Sequence, residues 1–413
     1  MIGIIVALLC INAIAGDAPP SAKHWTQLVE AFAPVGERMT ALLPQPVDPQ
    51  LQQEMFSLMF MTAFQGYMGL VYADPEHPDF IPVANQVLNI AFPNPDNVYY
   101  MTPLDENGVY KLSGDRGTVR IIDFNIGSGP LFRNGTGWFG PTLAEYDLDK
   151  RAHIRKDGSF DVLLSAEKPK GYKGDWWPLP KGTTTMTVRQ ISYDWLHEVD
   201  GRLAIERVDK PFARLRPTAA ETSAALAQIP VWMETMTQAS LNWMNKLRAK
   251  GMVNKMDVQN WSGAGGIATQ RYIEGLYDLQ PDEALIIETE VPKTCRYWGF
   301  QLADDLWKTT EYVHHQVSLN GFQARLDRDG KFRAVVSNTD PGVPNWLDTA
   351  GYLTGMLYGR WNGCSSFPQP QVTKVKLADV RENLPKDTPV VTAEARDATL
   401  RLRRKAMQMR RRW

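Results

Sequence analysis

The chain has 413 residues, 44% hydrophobic and 22% charged, an ordinary globular composition with enough apolar material for two or three packed domains. Formal net charge is −1, yet the last thirteen residues hold seven positive charges and no acid, so the body without them stands at −8. An acidic body with no basic stripe, finger spacing or stacking motif excludes nucleic acid as a partner.

Residues 1–15 form an apolar run ending in the small-x-small site Ala13 and Ala15, without a basic leader. A secretory signal cut after Ala15 is expected, too short to span a bilayer comfortably, which places the protein in the periplasm or outside the cell, with the cytoplasm as the alternative. Cys295 and Cys364 would be the two cysteines left after cleavage. An oxidising compartment would permit one bridge between them.

Residues 16–95 read as a helical layer. Trp25, Leu28, Val29 and Phe32, then Leu51, Met55, Leu58 and Met59, recur at helical spacing on either side of the Pro44-Gln45-Pro46 breaker. Met55, Met59, Met61 and Met68 fit gap-filling core better than a soft-metal site. Residues 96–212 change to short alternating runs divided by Gly, Asp and Pro turns, the pattern of antiparallel β structure. Residues 213–280 return to helical periodicity through Ile229, Trp232, Met236, Leu241 and Met244, as a connector. Residues 281–385 give a second set of strands, including one over Phe322 to Leu326, and residues 386–413 a basic C-terminal helix.

The two β segments repeat one another. Asp157-Gly158 followed by Trp176 and Arg189 returns as Asp329-Gly330, Trp346 and Arg360, with 19 and 17 residues from aspartate to tryptophan and 13 and 14 from tryptophan to arginine. The expected fold class is therefore α+β and β-rich: two related antiparallel β-sandwich, jelly-roll-like units with N-terminal, connecting and C-terminal helices. Arg189 and Arg360 are expected to brace their own sandwiches, because they recur with the scaffold.

Familiar catalytic signatures are missing: there is no G-x-S-x-G elbow, P-loop, H-E-x-x-H or C-x-x-C. No cofactor or metal site is expected, and Gly263-Ala264-Gly265-Gly266 reads as a flexible loop. The polar residues at strand ends form the candidate site. Asp123, Asp304, His314 and His315 are the acid and base candidates, and Asn125, Arg133, Gln301 and Trp307 the substrate-binding candidates. Turn capping and salt bridges between the units are the competing reading of the same residues.

Pro93-Asn94-Pro95-Asp96-Asn97-Val98-Tyr99, followed by Gly108-Val109-Tyr110, resembles the signature of the domain of unknown function 1254. Tyr297-Trp298-Gly299-Phe300-Gln301-Leu302, Asp329-Gly330 and Asn345-Trp346-Leu347 are similar to the domain of unknown function 1214. The resemblance implies two sandwich-like parts with helices, often exported, and no settled activity. The functional expectation is an exported small-molecule catabolic enzyme, a lyase or hydrolase, working in an aromatic-lined cleft between the sandwiches. Thirteen tryptophans suit either such a cleft or a large core. The alternative is a non-catalytic periplasmic ligand-binding or scaffolding protein. A small molecule is the expected partner, with peripheral membrane contact through the basic tail as an additional option.

Overall fold

The computed structural model describes residues 20–128 and 140–410. The expected signal over residues 1–15 and the candidate Arg133 lie outside the described residues.

Two nine-strand units follow one another with a single topology. The first has β1 (Ile81–Ala84), β2 (Asn97–Pro103), β3 (Tyr110–Asp115), β4 (Ile121–Gly127), β5 (Thr142–Asp147), β6 (Ser159–Ser165), β7 (Asp175–Pro178), β8 (Thr185–Ile191) and β9 (Arg202–Arg207). The second has β10 (Lys255–Gln259), β11 (Gln270–Asp278), β12 (Glu283–Glu290), β13 (Cys295–Ala303), β14 (Ser318–Asn320), β15 (Lys331–Ser337), β16 (Trp346–Asp348), β17 (Thr354–Cys364) and β18 (Gln371–Lys376). The first unit forms sheets ordered β1-β2-β8-β4-β5 and β7-β6-β3-β9, and the second β10-β11-β17-β13-β14 and β16-β15-β12-β18. Adding nine to each strand number of the first unit reproduces the second. The repeat seen in sequence is thus a duplication of the whole sandwich, a fold class of mixed α+β with four strand-rich sheets.

Period-two alternation builds each core. Ile122, Phe124 and Ile126 of β4 pack with Tyr110, Leu112, Phe160 and Trp177 of the facing sheet, all under 2% exposed. Phe300 and Leu302 of β13 do the same with Leu285, Ile287, Phe332 and Val336. Full burial of one such side chain stabilises by about 1.5–3 kcal/mol. The opposite faces of β4 and β13 are buried too. Ile121 and Ile191 of the first unit there meet Tyr297 of the second, so the five-stranded sheets turn toward each other. Strands covered on both faces lose the alternation that marks a half-exposed strand.

Helices α1 (Pro20–Thr40), α2 (Pro49–Tyr67), α4 (Ala219–Ala227) and α5 (Ile229–Ala249) form the helical layer, with a short α3 (Leu148–Arg151) inside the first unit. Asp48 caps α2 through Gln50 N, and Thr218 with Glu221 forms a capping box on α4. Met55, Leu58 and Met59 pack on Trp232, Met233 and Met236 of α5 and on Met101 of β2, so these methionines are core. Helix α6 (Ala393–Met409) docks on the body through buried arginines. Arg396 bonds Asp340, and Arg403 bonds Ser318 O. Arg410, just past the helix, bonds Asp96 O at 2.8 Å.

Three expectations change. The segment 213–280 is not purely a connector, because β10 and β11 lie within it and belong to the second unit. Phe322 to Leu326 is no strand, since Asn320 Oδ1 accepts from the backbone N–H of Phe322 and Gln323 and folds the chain into a turn. The sheets are not wholly antiparallel, because β7 runs parallel to β6 and β16 parallel to β15. Cys295 and Cys364 stand opposite each other on β13 and β17 and are disulfide-bonded. Among the described residues no helix is long and apolar enough to cross a membrane.

Candidate functional site

A cavity of about 160 Å³ lies between the two five-stranded sheets, covered by residues of α2 and α5. Matching positions of the duplication line it. Tyr99 of β2 pairs in register with Arg189 of β8, as Tyr272 of β11 pairs with Arg360 of β17. Asn125, opposite Thr187, accepts a hydrogen bond from Arg189 Nη1. Gln301, opposite Tyr358, accepts one from Arg360 Nη1 at 2.5 Å. Each unit therefore supplies a tyrosine, an arginine and a side-chain amide from equivalent places. The arginines do brace their own sheets through these amides, but their guanidiniums also lie on the wall of the shared cavity, which the expectation of a purely internal brace missed.

The charge balance of the two arginines is unusual. Arg360 is 6% exposed, and among the described residues no carboxylate comes within 4.0 Å of it or of Arg189. Besides the Gln301 bond, Arg360 lies over the rings of Tyr358 at 4.7 Å and Phe92 at 5.5 Å. Arg189 donates from Nη2 to Gly265 O at 3.3 Å, and Gly265 and Gly266 line the cavity beside it. A Cβ on Gly266 would sit 2.7 Å from Trp261 O, which requires glycine at that close approach.

Aromatic rings make the rest of the wall. Trp307 stacks on Trp243 at 5.1 Å and touches Phe92 at 4.9 Å, while Phe92 meets Tyr358 edge-on at 4.2 Å. Ala91, Phe92 and Trp307 have φ of 58°, 35° and 61°, in the left-handed region that non-glycine residues rarely enter. Phe92 N donates to Trp307 O at 2.8 Å, which ties the two strained segments together. Such strain costs about 1–3 kcal/mol per residue and persists where the surroundings over-determine it.

One buried acid lines the cavity, and another stands opposite one of its arginines. Glu274 of β11 lines the cavity, is 2% exposed, and its carboxyl is pushed up to about 8, chiefly by burial. The Trp261 indole and the Tyr358 hydroxyl pull in the opposite direction, yet Oε2 has no hydrogen bond of ordinary length and angle. Asp123 of β4 sits opposite Arg189 and is pushed up to about 7 by burial and then by Glu145 and Asp147, with Arg296 and Arg189 opposing.

The residues singled out in sequence divide. Trp307 lines the cavity, Asn125 and Gln301 bond the two arginines that line it, and Asp123 stands opposite Arg189 without lining it. Asp304 does not line it. Its carboxylate accepts from Leu306 N at 3.0 Å and Lys308 N at 2.9 Å and pairs with Lys308 Nζ at 3.2 Å, shaping the turn that presents Trp307. His314 and His315 sit elsewhere, on an exposed turn with Glu311 at 3.2 Å and against Asp348 at 2.7 Å. Asp123, Asp304 and a histidine thus share no pocket. Sequence reading missed Tyr99, Tyr272, Glu274, Trp243, Trp261 and Phe92. Counting back 90 residues from Arg189 and 88 from Arg360 would have found the matched tyrosines.

The signature segment Asn94 to Asp96 clamps the units rather than lining the cavity. Asn94 Nδ2 donates to the Tyr297 hydroxyl at 2.7 Å, and that hydroxyl donates to Asp96 Oδ2 at 2.6 Å. Asn320 Nδ2 and Trp195 Nε1 each donate to Asp96 Oδ1 at 2.7 Å. Burial still raises the Asp96 pKa against these donors.

Larger grooves lie on the surface. One of about 490 Å³ is lined by His77, Arg207 and Arg214, each already paired with an aspartate. One of about 840 Å³ lies between α1 and α4 against Trp25 and Leu28. Neither holds an uncompensated buried charge. Among the described residues no cluster of three His, Cys, Asp or Glu side chains could hold a metal ion.

Comparison with known proteins gives a family match and similar solved structures. The family model described as a protein of unknown function (DUF1214) matches residues 139–192. The resemblance to that family therefore holds, and the matched stretch lies in the first unit, whose counterpart in the second carried it in sequence. A crystal structure of an uncharacterised protein from Burkholderia cenocepacia is similar over 87% of this chain and 98% of its own, at 27% identity and a TM-score of 0.79. A protein from Vibrio parahaemolyticus aligns over 77% of this chain and 97% of its own, at 11% identity and a TM-score of 0.44. No curated protein matches the chain.

Proposed function

We propose that this protein binds a small organic carboxylate in the cavity between its two units, with Arg189 and Arg360 taking the carboxylate and the aromatic wall taking the apolar body. The observation that carries this reading is Arg360, a buried guanidinium held by a glutamine and two rings and, among the described residues, with no carboxylate within 4.0 Å. Buried charge is costly unless compensated, and guanidinium matches carboxylate through two parallel hydrogen bonds. A cavity of about 160 Å³ is the size that holds one benzene-like ring. Calorimetric titration with benzoate and with benzamide tests it: binding of the anion and not of the neutral amide is expected, and equal binding of both would refute it.

Catalysis on the bound acid, as a lyase or hydrolase, is a second reading. Asp123 favours it, because a carboxyl with a pKa of about 7 beside Arg189 is suited to proton transfer near neutral pH. Product formation that vanishes in Asp123→Asn while benzoate binding persists would support this reading, and turnover unchanged in that variant would end it.

Export is proposed from residues 1–15 and is supported by the Cys295–Cys364 bridge, which persists in oxidising compartments. The mature N-terminus, read by mass spectrometry, tests it: a chain still starting at Met1 in cells would oppose it. A 1254-like first half is proposed on the segment Pro93 to Tyr99 alone.

A further inference from the structure

The two halves of the cavity match at the tyrosines, arginines and amides and differ at one position that bears on ligand choice. Met101 of β2 pairs with Thr187, and the equivalent residue of β11 is Glu274, paired with Tyr358. One unit thus offers an apolar side chain where the other offers an acid. Glu274 is buried, lines the cavity, and leaves Oε2 without a hydrogen bond. Arg360 is its diagonal neighbour on the adjacent strand, and both side chains lie on the cavity face. Diagonal positions stand about 7–8 Å apart, and among the described residues no ion pair joins these two.

We propose that Glu274 recognises a hydroxyl or carbonyl oxygen carried by the ligand on the side away from its carboxylate, so that the preferred ligands are compact, single-ring or similarly sized hydroxy or oxo acids. This rests on the carboxylate-binding reading given above. A buried polar group left unpaired costs about 1–3 kcal/mol, and a ligand oxygen placed there removes that cost. Glu274 also borders a second, outer recess of about 40 Å³ with Lys246 and Lys250, and Trp243 and Trp261 border both. The carboxyl, pushed up to about 8, is neutral at pH 7 and therefore donates a hydrogen bond without repelling the ligand's carboxylate.

Titration of wild type, Glu274→Gln and Glu274→Met with benzoate and 4-hydroxybenzoate at pH 6.5 and 9 tests the assignment. Methionine is the residue that the first unit places at the equivalent position, and glutamine preserves a hydrogen-bonding group. Wild type and Glu274→Gln are expected to bind 4-hydroxybenzoate about tenfold more tightly than benzoate, and Glu274→Met to bind the two alike. Benzoate binding is expected to weaken at pH 9 in wild type and to stay level in Glu274→Gln. No preference in wild type, or a preference kept in Glu274→Met, overturns the assignment while the carboxylate site stands. Failure of benzoate itself to bind wild type overturns both.

Discussion

Arg189 and Arg360 stand at one register position of two sheets, the first opposite Tyr99 and the second opposite Tyr272. Their strands arose as β8 and β17 of a duplicated nine-strand unit, and the duplicated faces now look at each other across a single cavity. Neither arginine has an acid within ion-pair distance among the described residues. Each unit thereby contributes one cation to the wall of the same cavity.

The C-terminal helix is held by charge buried inside the body. Arg410 pairs with Asp200 at 2.7 Å, with side chains 2% and 9% exposed, and Arg410 also reaches Asp96 O and Gln190 O. Arg410→Ala should cost about 3–5 kcal/mol, because Asp200 is left buried and unpaired. Urea denaturation read by fluorescence measures it, and a loss below about 1 kcal/mol would show the helix to be loosely docked.

Stability should fall with pH on account of Glu274. Its folded pKa of about 8 lies above the ordinary 4.5, so from about pH 4.5 the unfolded chain ionises while the native carboxyl stays protonated. The native state then binds more protons, and stability declines until about pH 8, above which the effect is constant. Glu274→Met should therefore gain on wild type across that window, by about 4 kcal/mol at pH 8 and little at pH 4.5. Melting temperatures at both pH values decide it, and a pH-independent difference would argue against a neutral buried acid.

Ligand binding should be visible in tryptophan emission, since Trp243, Trp261 and Trp307 all line the cavity. Trp307→Phe should keep the fold and weaken benzoate binding roughly threefold to tenfold through loss of the stack on Trp243. An emission spectrum unmoved by saturating benzoate would place the ligand elsewhere.

Much of the architecture was legible because short alternating strands and the recurring Asp-Gly, tryptophan and arginine spacing are local signals. The site was less so. Strand β11 reads Gln270 to Asp278 with nearly every side chain buried, so it has no polar face to mark it and it vanished into an expected helical connector, taking Tyr272 and Glu274 with it. Trp307 is legible because it sits in a turn, and Asn125 and Gln301 because each is a polar side chain within an otherwise apolar stretch of strand. His314 and His315 attracted notice as a pair, but adjacency in sequence put both on a solvent-facing turn. Arg189 and Arg360 were noticed as a repeat. Repetition cannot distinguish a brace from a binding group, because that depends on what lies across the gap.

The most direct measurement is isothermal titration of benzoate into wild type and into an Arg189→Met, Arg360→Met double variant, with circular dichroism to confirm that both are folded. One site per chain in wild type and an affinity lower by about a hundredfold or more in the double variant are expected, as two charge-assisted contacts are lost. Equal affinity in the two proteins, or no binding of benzoate to wild type, would contradict a carboxylate site formed between the units.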